Sequence, residues 1–298
     1  MLICLKTRLL NILGLDMKNV RVIPRLDIKG PNLVKGVHLE GLRVLGDPSR
    51  FARYYYENGA DEIIYQDTVA SLYDRNSLTE IINKTAKEIF IPLTVGGGIR
   101  DMDDIHNVLR AGADKVSINT SAVRNPDFIN QASRFYGSST IVIAMECLRK
   151  NDGDYYIFTD NGREETGKEA LKWALEVESR GAGEIFLTSI DKEGTGKGFD
   201  TELISKISDN VSIPVIAHGG ASKYEHIKDA IFTGKADAIS IASMLHYGIA
   251  SSIKSEQNTS EGNIAFLKRN SNYKNFEIIK IALLKKMMIE DGINVRYE

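Results

Sequence analysis

Two carboxylates close apolar, β-branched runs 119 residues apart: Asp27 ends residues 21–27 (RVIPRLD) and Glu146 ends residues 140–146 (TIVIAME). Paired carboxylates suit general acid and base work when their surroundings separate their pKa values, although either one could be only a structural acceptor. Lys35 lies in the stretch Pro31–Gly36 (PNLVKG), read as a long loop, from which it could reach the same region or simply sit in solvent. Two glycine clusters, Gly96-Gly97-Gly98 and Gly219-Gly220, also follow apolar runs. Glycine lets backbone N–H groups approach an anion closely, and the small polar turns 117–120 (SINT) and 241–243 (IAS) add donors where a helix could begin. Two phosphate sites follow, with tight turns as the plainer explanation. A second set of charges, Arg21, Glu62, Lys115 and Glu184, stands at or near the beginnings of such runs. Charges close to a core are costly unless paired, so these four are expected to neutralise one another, as a stability device or a movable plug.

These residues need elements to bring them together. Strands are predicted over 21–27, 61–67, 91–95, 114–118, 140–146, 183–189, 213–217 and 237–241. Helices are predicted near 48–58, 77–88, 102–111, 126–136, 166–180, 201–208, 223–233 and 274–290, with Asp47, Asn125 and Ser222 as caps. Strands that alternate with helices and are apolar on both faces imply a parallel sheet covered by helices. Eight such units make an α/β chain of the (β/α)8, or TIM-barrel, class. An open doubly wound sheet is disfavoured by the absence of a Gly-x-Gly-x-x-Gly fingerprint after the first strand. In a (β/α)8 barrel the carboxylates and glycine turns fall on the catalytic, strand-C-terminal face, and the four charges fall at the opposite rim.

The chain also repeats itself. Residues 58–63 (NGADEI) are echoed by 180–185 (RGAGEI), and Ile91-Pro92 with Gly97-Gly98 by Ile213-Pro214 with Gly219-Gly220, each 122 residues later. Residues 113–118 (ADKVSI) recur as 236–241 (ADAISI). The barrel is therefore expected to consist of two similar four-strand halves, with a site on one half mirrored on the other.

Composition narrows the classes of function. The chain has 298 residues, 43% hydrophobic and 26% charged, with a formal net charge of −2. That much apolar content excludes a disordered chain, and the lack of a basic excess argues against nucleic acid as a partner. No run is long enough for a membrane helix. Two cysteines, Cys4 and Cys147, fit a reducing cytoplasm better than a disulfide framework. Residues 1–16 read as a leader or misassigned start, and residues 17–298 as a single barrel with a polar insertion at about 251–274.

Several motifs carry a resemblance. They are Leu-Asp-Ile-Lys with Val-Lys-Gly (26–29, 34–36), PLTVGGGI (92–99), GADKVSIN (112–119), GAGEI (181–185) and TSID (188–191). Over Val20 to about Tyr247, and again over Asp291–Arg296, the chain resembles the cyclase subunits of imidazole glycerol phosphate synthase in histidine biosynthesis. The resemblance implies a half-barrel duplication and a lyase that uses ammonia to cyclise a bisphosphorylated ribulosyl aminoimidazole-carboxamide ribonucleotide. It implies no metal or organic cofactor. The implied ammonia source is a glutaminase partner, docked on the strand-N-terminal face and delivering through the barrel. Carried over by motif, Asp27 and Glu146 stand at the acid/base positions and Lys35 at that of a flexible-loop lysine. Gly98, Asn119 and Thr120 match one phosphate site, and Gly194, Gly220, Ala242 and Ser243 the other. Arg21, Glu62, Lys115 and Glu184 match an ammonia gate, and Asp114 a partner-facing acid.

Two positions depart from that pattern. Glu146 replaces an aspartate, and Arg25 replaces a small cysteine at an inward-facing position two residues before Asp27. Arg25 could reposition Asp27, bind a different anion or narrow the ammonia path. Two further readings therefore stand beside the cyclase: a paralogue that amidates another substrate, such as a nucleotide-linked sugar in surface-polysaccharide synthesis, and a non-catalytic binding subunit of a glutaminase. A related histidine-pathway isomerase is disfavoured by the charged rim.

Overall fold

Along the first strand, Val22, Leu26 and Ile28 alternate with Ile23, Arg25 and Asp27, and both sets are buried. The first set joins the large cluster between strands and helices, while Ile23 joins a separate small cluster with Ile64, Val142, Ala144, Phe186, Ile216 and Ala238. A strand apolar on both faces, one set toward helices and one toward a second core, is what a barrel wall requires.

The structure, a computed structural model, describes residues 18–37, 40–68, 78–254 and 276–297. The strands run β1 (Arg21–Lys29), β2 (Asn32–Val37), β3 (Glu40–Gly46), β4 (Ile63–Asp67), β5 (Leu93–Gly96) and β6 (Lys115–Ile118) through the first half. The second half holds β7 (Ile141–Arg149), β8 (Tyr155–Thr159), β9 (Glu164–Glu169), β10 (Glu184–Ser189), β11 (Val215–His218) and β12 (Ala238–Ile241). Among them β1, β4, β5, β6, β7, β10, β11 and β12 form a closed parallel ring, sealed where β12 meets β1 and β10 meets β7. Helices α1 (Pro48–Glu57), α2 (Thr79–Ala86), α3 (Met102–Arg110), α4 (Thr120–Arg124) and α5 (Asp127–Tyr136) accompany the first half. Helices α6 (Ala170–Ser179), α7 (Thr201–Ser208), α8 (Tyr224–Phe232), α9 (Ser243–Lys254) and α10 (Ile281–Glu290) accompany the second. The expected (β/α)8 barrel and all eight of its wall strands are present. No described helix is long and apolar enough to cross a membrane.

The two halves share an irregularity that periodicity did not reveal. β1 and β7 overshoot the barrel rim, and each continues into an antiparallel hairpin, β2–β3 and β8–β9 respectively. Asp27 pairs with Val34 and Glu146 with Phe158, so each carboxylate sits where a wall strand becomes hairpin. The stretch around Lys35 is therefore strand rather than loop. The predicted helix 166–180 begins only at Ala170, because Glu164–Glu169 pairs with β8 and Thr166 Oγ1 donates to the Ile157 carbonyl at 2.7 Å. Gly167, with φ +71, also disfavours helix there.

Of the expected helix-starting caps, Asp47 accepts from Ser49 N at 2.9 Å, and the other two do not begin their helices. Asn125 ends α4 and Pro126 occupies the cap position of α5; Ser222 Oγ donates instead to the Gly196 carbonyl at 2.6 Å, leaving Lys223 to begin α8. Helix α9 extends to Lys254, past the predicted start of the insertion at 251. Residues 1–16 and the remainder of that insertion lie outside the described residues.

The repeated Ala-Asp pair (60–61, 113–114 and 236–237) has a clear structural task. The Oδ2 atoms of Asp61, Asp114 and Asp237 accept from the backbone N–H groups of Val22, Leu93 and Val215 at 2.8, 2.8 and 2.9 Å. Each bond ties the start of one wall strand to its neighbour and stabilises by roughly 1–3 kcal/mol. Lys285, buried on α10, donates to Asp61 Oδ1 at 2.6 Å and fastens the carboxyl-terminal helix to the same rim.

Candidate active site

Strand alternation points residues 21, 23, 25 and 27 of β1 inward, stacking Arg21 at the floor, Ile23 in the middle, and Arg25 and Asp27 toward the mouth. Asp27 is 3% exposed; its Oδ1 accepts from Arg25 Nε at 2.7 Å, and its Oδ2 lies 3.6 Å from Lys35 Nζ. Lys35 is buried rather than solvated, and its ammonium is also paired with Glu193. Glu193 in turn lies 3.1 Å from His218 Nε2, and His218 Nδ1 faces the Ser240 carbonyl at 3.0 Å. Burial by itself would raise the Glu193 carboxyl, but Lys35, His218 and Arg25 outweigh it and hold that carboxyl well below its usual range. The Lys35 ammonium, which burial alone would discharge, is kept charged by Glu193 and Asp27.

Glu146 has different surroundings. Its Oε2 accepts from Asn119 Nδ2 at 3.1 Å and from Gly162 N at 2.9 Å, and no described cation is paired with it. Burial pushes its pKa up to about 7, against the opposing influence of Arg25 and the Gly162 N–H. The two carboxylates at equivalent places in the two halves are thus unlike: Asp27 lies in an ion-paired chain, while Glu146 is poised to gain or lose a proton near neutrality.

Beside Glu146 opens a cavity of about 340 Å³ lined by Arg25, Gly98, Asn119, Thr120 and Phe186. Gly97 is required there, since a Cβ would stand 2.4 Å from the Asp67 carbonyl oxygen. Thr120 opens α4, directly after β6, and no side chain caps that helix start. Across the barrel, Gly194, Gly220, Ala242 and Ser243 are likewise gathered, with Lys35 and His218, around a gap of about 10 Å³. That is room for roughly one water, less than a phosphate needs, so Phe276 and the turns around it must part to admit one. The buried Ser117 Oγ and Ser240 Oγ, equivalent in the repeat, have no hydrogen-bond partner among the described residues and line the two sites respectively, as does the buried Asn119 Oδ1 in the first. Orphaned polar atoms at both turns fit groups that receive a polar ligand.

The floor carries the expected charge ring. Glu62 Oε2 accepts from Arg21 Nη1 at 2.9 Å and from Lys115 Nζ at 3.0 Å, while Thr94 Oγ1 donates to Glu62 Oε1 at 2.6 Å. Glu184 accepts from Arg21 Nη2 at 3.1 Å and from Lys115 Nζ at 2.9 Å, completing the circuit. Asp114 stands on the same face, exposed; among the described residues no cation is paired with it, whereas Asp61 and Asp237 hold Lys285 and Lys18. Glu193 and His218 were missed by sequence reasoning. A signal existed, since Glu193 follows the TSID motif and His218 directly precedes Gly219-Gly220, both at strand C-termini.

Fold and site together define a (β/α)8 barrel of duplicated halves, with a glycine turn and an inward carboxylate on each. The chain belongs to the histidine biosynthesis protein family, whose profile matches residues 21–251. It is 59% identical to imidazole glycerol phosphate synthase subunit HisF of Legionella pneumophila over 209 residues, 70% of this chain and 99% of that protein. The identically named subunit of Alkaliphilus metalliredigens is 47% identical over 82% of this chain and 97% of its own length. That of a Nostoc species is 46% identical over 78% of this chain and 91% of its own.

Proposed function

We propose that this chain is the cyclase subunit of imidazole glycerol phosphate synthase. It converts a bisphosphorylated ribulosyl aminoimidazole-carboxamide ribonucleotide, with ammonia, to imidazole glycerol phosphate and aminoimidazole carboxamide ribonucleotide. The observation that carries this reading is the pairing of two glycine turns with two chemically unlike carboxylates between them. Phosphates at the two ends of the substrate would engage Gly98, Asn119 and Thr120 on one side and Gly194, Gly220, Ala242 and Ser243 on the other. The substrate's middle would then lie against Asp27 and Glu146. Ammonia attacks the ribulosyl carbonyl, Glu146 supplies a proton and Asp27 accepts one, the carbonyl oxygen leaves as water, and ring closure expels the carboxamide ribonucleotide. Lys35 swings from its pairing with Glu193 and Asp27 to meet the substrate as the second turn opens.

The floor ring of Arg21, Glu62, Lys115 and Glu184 serves as the gate for ammonia made by a glutaminase subunit, and Asp114 contributes to docking it. The exposed Phe90 and Phe135, near the same rim at the ends of α2's connection and α5, support a protein partner on that face. The enzyme works in the cytoplasm. One observation favours the second reading, amidation of a different substrate: Arg25 places a buried cation at the mouth beside Asp27.

The test is turnover of the bisphosphorylated substrate with ammonium chloride. Activity that falls at least about 10³-fold in Asp27→Asn supports the cyclase. Tight binding without turnover would sink it, and an Asp27→Asn variant with every function intact would favour a non-catalytic subunit.

A further inference from the structure

Arg25 carries more than a passive cation would. Its side chain is 3% exposed, Nε is engaged by Asp27 at 2.7 Å, and the guanidinium carbon lies 5.5 Å from the centroid of the Phe186 ring. A guanidinium is a rigid planar fork, so anchoring Nε and seating the group over a ring fixes the direction of both terminal amino groups. No described residue accepts a hydrogen bond from either Nη. Arg25, Phe186, Glu146 and Asn119 all line the 340 Å³ cavity that reaches Gly98 and Thr120. Arg25 lines that cavity, so an acceptor standing there can meet the Nη edge.

We infer that Arg25 forms a third anion subsite, at the centre of the mouth between the two glycine turns, whose Nη edge holds a charged or charge-gaining oxygen in the middle of the substrate. Two cations, Arg25 and Lys35, face two carboxylates, Asp27 and Glu193, in the buried chain. The local balance therefore suits one oxygen of single or partial charge and disfavours a phosphate dianion. The inference deepens the cyclase reading and rests on it only for the identity of that oxygen. As the nitrogen lone pair of ammonia bonds to the carbonyl carbon, the C=O π pair moves onto oxygen. Arg25 holds that oxygen until the Glu146 carboxyl protonates it, while the surplus proton on nitrogen passes to Asp27.

Two measurements test it on the full chain. The first is calorimetric binding of 3-phosphoglycerate, which carries a phosphate and a carboxylate, against glycerol 3-phosphate, which carries the phosphate alone. The native chain is expected to prefer the former by about tenfold, and both Arg25→Met and Arg25→Lys to lose most of that preference while melting as folded proteins. An unchanged preference in Arg25→Met, a full preference in Arg25→Lys, or no preference in the native chain overturns the subsite. The second is ammonium-driven turnover, in which Arg25→Met is expected to lower kcat about 10²-fold with little change in KM. Retention of kcat within about threefold overturns the oxyanion role. If the native chain shows the binding preference but no turnover, the cyclase reading fails and the subsite stands.

Discussion

Glu146 is the residue on which pH should act most visibly. Burial lifts its carboxyl from 4.5 to about 7, so the fold favours the neutral form. Its stabilising contribution is complete below pH 4.5 and is lost as pH rises through about 7, on the order of 3 kcal/mol over that span. Urea unfolding at pH 5 and pH 8 should show the native chain losing stability relative to Glu146→Gln by about that amount; parallel curves would remove Glu146 as the titrating group. Glu193, held low by Lys35 and His218, contributes with the opposite sign, its stabilisation being lost only in acid, so it does not mask this window. If Glu146 is the proton donor, kcat should also fall on an alkaline limb centred near pH 7, a limb absent in Glu146→Gln. His246 illustrates a buried histidine without a proton to give. Burial first, then the charge of Lys35, lowers it to about 4, and its neutral ring links Tyr55 of α1 to the Arg25 carbonyl at 2.8 Å, steadying the strand that carries the site.

At the scale of elements, the turns after β5 and β11 owe their shape to backbone contact. Gly220 has φ +99, and a Cβ there would lie 2.1 Å from the Gly198 carbonyl oxygen. Gly220→Ala should therefore cost about 2 kcal/mol or more and weaken phosphate-bearing ligands, read by unfolding and by calorimetry. Gly183 is the informative exception to the Ala-Asp repeat. The 3-10 turn Ser138–Thr140 crowds it so closely that a Cβ would stand 2.1 Å from the Ser138 carbonyl oxygen. Restoring the repeat with Gly183→Asp should destabilise by about 1–3 kcal/mol, where the pattern alone would suggest a gain. A more stable variant would show that the turn yields.

Across the whole molecule, an ion-paired floor and the mouth that carries the glycine turns are separated by the small apolar layer around Ile23 and Phe186. Glu62, 1% exposed and shared by Arg21, Lys115 and Thr94, is the keystone of the floor. Glu62→Ala leaves two cations facing Glu184 alone and should destabilise by about 1–3 kcal/mol by thermal unfolding. With a glutaminase partner present, the same change should alter the ratio of glutamine-driven to ammonium-driven turnover about tenfold. An unaltered ratio would leave the ring a structural device.

Alternation, glycine clusters and the 122-residue repeat were enough to place eight wall strands, the duplicated halves, both carboxylates and the charged rim, because each follows from local periodicity or from position at a strand end. The hairpins after β1 and β7 were not legible, since short strands without strict polar–apolar alternation are decided by their cross-strand neighbours. Lys35 therefore read as a loop residue until β2 turned it inward against Glu193, 158 residues away. The sequence by itself determined the barrel and the kinds of group at its two ends. Only the tertiary structure decided which of two similar carboxylates holds its proton near neutrality and which is ion-paired, because burial and facing charges are properties of the assembled mouth and not of either strand.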